Sequence, residues 1–145
     1  MIDSFEFEGA EGRRLAGRLE SPSGRVRGWA LFAHCFTCGK DNLAAVRIAR
    51  TMAGQGIGVL RFDFAGIGES EGLFAETSFA SNVDDIAAAC SAMAERGYPV
   101  SLLVGHSLGG AAVLAAPGEC RTVRAVATIN APFDVAHALE QFAPD

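Results

Sequence analysis

Val100-Ser-Leu-Leu-Val-Gly-His-Ser-Leu-Gly-Gly110 is the stretch whose reading decides the fold. Val100 to Val104 is an apolar run of strand length, and Ser107 to Ala116 is a small-residue run that reads as a short helix. Between them stands Gly105-His-Ser-Leu-Gly109, a G-x-S-x-G string in the strand–turn–helix context its geometry requires. Ser107 then sits at the tip of a strained turn, which is possible only if the residues two before and two after it lack side chains. The helix N-terminus that follows brings unsatisfied N–H groups and a positive dipole end beside the serine. The N–H of Leu108 is the natural first donor to an oxyanion formed there. A glycine-rich turn without chemistry is the plainer reading of the same string, and the pattern around it decides against that reading.

Working outward, strands and helices alternate. Trp29 to Ala33 is a continuous apolar run typical of a strand buried on both faces. A loop, His34 to Asn42, leads to a helix from Leu43 to Gly54, with Val46, Ile48, Ala49 and Met52 as its apolar face. Ile57 to Asp63 is the next strand, followed by the glycine-rich loop Ala65 to Gly72. Ser81 or Asn82 can cap a helix running to Arg96, with Val83, Ile86, Ala89, Cys90 and Met93 inward. Val123 to Ile129 is a further strand, and Asp134 to Phe142 begins a last helix. The first twenty residues read as a hairpin, with Phe5 and Phe7 alternating with acids and Leu15 and Leu19 with arginines. The expected fold class is therefore α/β: a mostly parallel sheet with helices on both faces and an antiparallel N-terminal hairpin. Neither a repeat nor a linker divides residues 1–145, which read as a single domain.

Three strings at strand ends carry a resemblance: His34-Cys-Phe36, Arg61-Phe-Asp-Phe-Ala-Gly-Ile-Gly-Glu-Ser70 and Gly105-His-Ser-Leu-Gly109. Together they resemble the N-terminal portion of an α/β-hydrolase, over essentially the whole chain. The longer string His34-Cys-Phe-Thr-Cys-Gly-Lys-Asp41 is similar to a bacterial subgroup in which this hydrolase half is fused to an OsmC-like domain. The resemblance implies that Ser107 is the nucleophile toward a small ester, thioester or amide. It implies that the N–H groups of Leu108 and Phe36 form the oxyanion hole. Cys35 stands where the family carries glycine. The family's chain order is nucleophile, acid, histidine, with the last two usually after strands seven and eight. Here the sequence stops after strand six, so the domain reads as C-terminally incomplete. Asp134 and His137 are the weak downstream candidates for acid and base. Asp63 reads as an anchor for the glycine loop, and His34 and His106 as structural. Phe36, Phe64 and Leu73 are candidates to line an apolar acyl pocket.

A serine without a base is a poor nucleophile at neutral pH, so this chain by itself is expected to be at best a weak hydrolase. The alternative is a non-catalytic binding or interaction module that keeps the fold. With strands seven and eight absent, strand 123–129 becomes an apolar sheet edge, and a homodimer or another docking partner is expected there. Half of the 145 residues are hydrophobic and the net charge is −5, a balance that points away from disorder and from nucleic acid. No apolar run reaches membrane-spanning length and the N-terminus has no secretory pattern, so a cytoplasmic protein is expected. The cysteines are Cys35, Cys38, Cys90 and Cys120. Cys35 and Cys38 form a C-x-x-C, and a third reading makes them a thiol redox pair on the loop above the pocket; zinc needs a second ligand pair, and none is visible. No cofactor is implied.

Overall fold

The computed structural model describes residues 1–140. Strands β1 (Ile2–Glu8), β2 (Arg14–Glu20), β3 (Gly28–Ala33), β4 (Ile57–Phe62), β5 (Val100–His106) and β6 (Ala125–Ile129) form one sheet in the order β1-β2-β4-β3-β5-β6. The pairs β1–β2 and β2–β4 are antiparallel, and β4–β3, β3–β5 and β5–β6 are parallel. This is the expected hairpin followed by a parallel sheet. The central strands are buried on both faces, which is why β3 and β4 read as nearly unbroken apolar runs.

Helix α1 (Leu43–Gly54) covers one face of the sheet, with Ala45, Ala49 and Ala53 fully buried. Of the expected inward residues Val46, Ile48, Ala49 and Met52, Ala49 lies at the centre of the contact, in a stripe of alanines four residues apart that faces the sheet. Small side chains let the helix lie close over Ala30, Phe32 and Val59, while Ile48 and Met52 flank the contact and Val46 stays half-exposed. Helices α2 (Phe79–Glu95) and α3 (Leu108–Ala115) cover the other face, over a larger core that includes Phe5, Phe7, Leu31, Phe62, Ile86, Met93 and Leu103.

Helix α2 begins earlier than Ser81 or Asn82. Ser78 is its N-cap, and Ser78 and Ser81 exchange side-chain-to-backbone hydrogen bonds at 3.1 and 2.8 Å. A serine in place of the usual Glu or Gln at the third helical position hides this capping box from sequence inspection. Strand β6 is two residues shorter than expected at its start. Val123 packs against the core while Arg124 N–H donates to Ser101 O at 2.9 Å. A final helix, α4, spans Val135–Glu140; the expected continuation to Phe142 lies outside the described residues. Among the described residues no helix is long and apolar enough to cross a membrane.

Candidate functional site

Three loops leave the carboxyl ends of adjacent strands β4, β3 and β5, where ligands bind in open α/β sheets. The β5 loop is the sharpest. Ser107, the N-cap of α3, has φ 53° and ψ −120°, a conformation that costs a non-glycine residue on the order of 1–3 kcal/mol. The Ser107 N–H donates to Ile129 O at 2.8 Å, and the Ser107 carbonyl accepts from Gly110 N–H at 2.9 Å. The flanking glycines are sterically required. A Cβ on Gly105 would lie 2.6 Å from Gly110 Cα, and one on Gly109 would lie 2.8 Å from the carbonyl carbon of Ala33. Ser107 itself is half-buried, and α3 starts at Leu108, whose amide is among the first-turn donors that a helix cannot satisfy internally.

Facing the elbow is the β3 loop. His34 is buried, and its Nδ1 lies 2.6 Å from Cys35 O while Nε2 lies 3.1 Å from Phe64 N. This fixes the tautomer: Nδ1–H donates to the carbonyl and Nε2 accepts the amide proton. Burial holds the imidazole below its ordinary pKa, against the pull of the Cys35 carbonyl and Asp63. It is a neutral brace joining the β3 and β4 loops, with Phe64 edge-on at 4.8 Å. Next to it Cys35 and Cys38 form a disulfide, with Cα atoms 5.3 Å apart. Thr37, inside that ring, has φ 59°.

Asp63 ties the same two loops from below. Fully buried, its carboxylate accepts from Lys40 N–H (2.7 Å), Lys40 Nζ (2.8 Å) and Glu69 N–H (3.0 Å). Ser70 Oγ donates to the Asp63 carbonyl at 2.6 Å. Burial alone would lower the Lys40 pKa, but its contacts with Asp63, Glu69 and Asp41 outweigh that and raise it. Asp63 is thus the loop anchor its position suggested, and Lys40 is its counter-ion.

A narrow cleft of about 320 Å³, mouth included, opens between these loops beside Leu108 and Gly109. Phe36 and Phe64 line it as expected. Leu73 does not; it is 62 % exposed, and Phe74 lines the cleft instead. The short 3₁₀ turn at Phe74–Glu76 turns the leucine out and brings the Phe74 ring edge-on to Phe36 at 5.5 Å. Thr77 and Asn82 add polar groups that the sequence reading did not assign to the site. A wider adjoining space of about 650 Å³, mouth included, shares Phe36, Phe74, Thr77, Asn82 and Leu108. A loop residue carries no periodic signal, so nothing pointed to Thr77, and Asn82 drew notice only as a candidate helix cap.

The downstream candidates lie at the start of α4. Asp134 Oδ1 accepts from the backbone N–H of His137 at 3.2 Å, a capping contact for α4, and both residues are exposed. Neither is among the described residues lining the cleft; Ser107 is not either, though Leu108 and Gly109, which follow it, are. His106 precedes the elbow, and its buried Nδ1 has no hydrogen-bond partner among the described residues. No group of three or more His, Cys, Asp or Glu among the described residues is placed to hold a metal ion.

Residues 27–144 match the family model described as serine aminopeptidase, S33. No match was found among curated protein sequences. Among solved structures, the chain is 47 % identical to the esterase domain of a Rhodothermus marinus protein, with a TM-score of 0.75, covering 94 % of this chain and 53 % of that one. It is 25 % identical to the α/β-hydrolase GrgF of Penicillium sp. sh18, with a TM-score of 0.80, covering 88 % and 45 %. An α/β serine hydrolase homologue from Coxiella burnetii shares the fold, at 19 % identity and a TM-score of 0.81, covering 94 % and 66 %. The chain spans about half the length of the first two. With the family model matched over most of its length, the chain belongs to the serine aminopeptidase S33 family of α/β-hydrolases.

Proposed function

We propose that this chain carries the nucleophile and oxyanion half of a serine hydrolase acting on a small ester, thioester or amide with an apolar acyl group. The observation that carries this reading is Ser107, held at φ 53° between β5 and the N-terminus of α3, immediately before Leu108 and Gly109, which line the aromatic cleft. In the proposed reaction Ser107 Oγ attacks the carbonyl carbon and the amides of Leu108 and Phe36 receive the developing oxyanion. The acyl group lies along Phe36, Phe64 and Phe74. Asp134 and His137 remain the acid and base candidates within this chain. Without a well-placed base, a triad site still retains on the order of 10³–10⁴-fold over water, so slow turnover is expected from this chain alone. The subgroup with a fused OsmC-like domain is a further part of the proposal, supported by the string His34–Asp41. A cytoplasmic location belongs to it as well.

Labelling with a fluorophosphonate probe, together with p-nitrophenyl acetate turnover, tests the reading against Ser107→Ala. Labelling and turnover that vanish in the variant support it. Equal behaviour of the two proteins overturns it and leaves a non-catalytic binding module.

We also propose that another polypeptide pairs along β6, in the first instance a second copy of this chain. Support comes from the place of β6 at the sheet edge and from its uncharged sequence.

A further inference from the structure

The hydrolytic reading gives no work to the two cysteines of the β3 loop. We propose that Cys35 and Cys38 form a thiol–disulfide exchange site, whose partner is a dithiol, and that its state sets the position of Phe36 at the mouth of the cleft. This builds on the reading of that cleft as the acyl site.

Geometry, exposure and position support it separately. The Cα separation of 5.3 Å lies within the usual range for a disulfide. Cys38 is exposed and Cys35 half-buried, so an incoming thiolate can reach the Cys38 sulfur. The other two cysteines, Cys90 and Cys120, are free but buried in the core, out of reach of such a reagent. Only Phe36 and Thr37 lie inside the ring. Thr37 holds φ 59°, an uncommon conformation for a β-branched residue that persists where its surroundings enforce it. Opening the ring removes a covalent restraint from the residue next to Phe36. Phe36 lines both the narrow cleft and the wider space, and it meets Phe74 edge-on. A change in Phe36 is therefore a change in both.

The exchange balances without any other reagent. A thiolate of the dithiol attacks the Cys38 sulfur, breaks the Cys35–Cys38 bond and releases Cys35 as a thiolate that takes up a proton. The second thiol of the reagent then attacks the mixed disulfide and releases Cys38. Two electrons and two protons pass to the protein, and the reagent leaves as its own disulfide. The reverse sequence, with the oxidised reagent, closes the ring again.

The test equilibrates the full chain with mixtures of reduced and oxidised dithiothreitol and reads three quantities. Alkylation and mass measurement should show a two-thiol change confined to Cys35 and Cys38. Fluorophosphonate labelling of Ser107 should change at least threefold in rate between the two states, and Cys35→Ser/Cys38→Ser should lose that response. In protein carrying 3-fluorophenylalanine, the ¹⁹F resonance assigned through Phe36→Leu should move on reduction. Two thiols that stay free in every mixture overturn the exchange site. A conversion that moves neither the labelling rate nor the Phe36 resonance overturns its coupling to the cleft, with Ser107 chemistry untouched. If Ser107 never labels but the Phe36 resonance still moves, the exchange site stands and the hydrolytic reading falls.

Discussion

The two edges of the sheet are built on different terms. At one edge, β1 turns Phe5 and Phe7 into the core while Ser4, Glu6 and Glu8 face out. Arg14 pairs with Glu6 at 3.0 Å, and the guanidinium of Arg96, the C-cap of α2, lies 3.8 Å over the Phe5 ring. That edge combines an anchored inner side with a charged outer side, the usual defence of an exposed strand. At the other edge, β6 reads Ala-Val-Ala-Thr-Ile with no charge, and every residue except Val126 is exposed. Its register with β5 places Ala125, Ala127 and Ile129 beside Leu102, Val104 and His106, on the face that α1 covers only farther in. Both edges have their hydrogen-bond ladder, but β1 adds two fully inserted aromatic side chains where β6 adds only the half-buried Val126. The candidate nucleophile depends on the β6 edge, through the bond from Ser107 N–H to Ile129 O.

The contrast is broken most directly at Phe7, which is buried and meets Phe62 edge-on at 5.5 Å. Phe7→Ala should cost about 3–5 kcal/mol, whereas Ile129→Ala on the open edge should cost less than about 1 kcal/mol. Urea unfolding of the two variants checks this, and similar losses would mean that β6 is packed as firmly as β1.

A smaller effect sits beneath the hairpin. Asp85 of α2 is buried and accepts from Ala65 N–H at 3.0 Å. Burial, aided by Glu11 and Asp84, pushes its carboxyl up to about 6. Because the folded value lies above the unfolded one, this group costs nothing below about pH 4, where both states are protonated. Stability then falls as pH rises toward 6, by up to about 3 kcal/mol. Asp85→Asn keeps an acceptor for Ala65 but never ionises. It should match the parent near pH 4 and exceed it by about 1–2 kcal/mol at pH 7.5. Parallel unfolding curves at the two pH values, with no pH-dependent gap, would remove Asp85 as the source.

The hairpin, the βα alternation and the elbow were legible because each rests on local patterning: alternation in β1, apolar runs in β3 and β4, and glycines placed around a serine. What was not legible depends on contacts between distant segments. Nothing near residue 73 indicates that Phe74, and not Leu73, turns toward Phe36. The Lys40–Asp63 pair joins residues 23 apart, and only the fold makes the lysine a counter-ion. On α1, Ile48, Ala49 and Met52 pack inward as the pattern indicates, but Ala45 takes the central place the pattern gives to Val46, because hydrophobicity ranks valine above alanine while close approach to the sheet favours the smaller residue. The C-x-x-C and its place on the loop above the pocket were legible, but the edge-on contact of Phe36, inside that ring, with Phe74 was not.

The smallest expected stability effect tests the open edge itself. In Ile129→Lys a lysine replaces a side chain that is 39 % exposed, so unfolding of the monomer, measured at a concentration where the parent does not dimerise, should shift by less than about 1 kcal/mol. The backbone carbonyl that accepts from Ser107 N–H is untouched, and so the elbow should survive. A charge on an edge strand does oppose pairing with another strand. Sedimentation at micromolar concentration should therefore give a dimer for the parent and a monomer for the variant. A monomeric parent would remove the second copy as the partner of β6. A dimer that persists in the variant would move the interface elsewhere. In either case the contrast between the edges would narrow to one of packing alone, and the support for Ser107 would come from within a single chain.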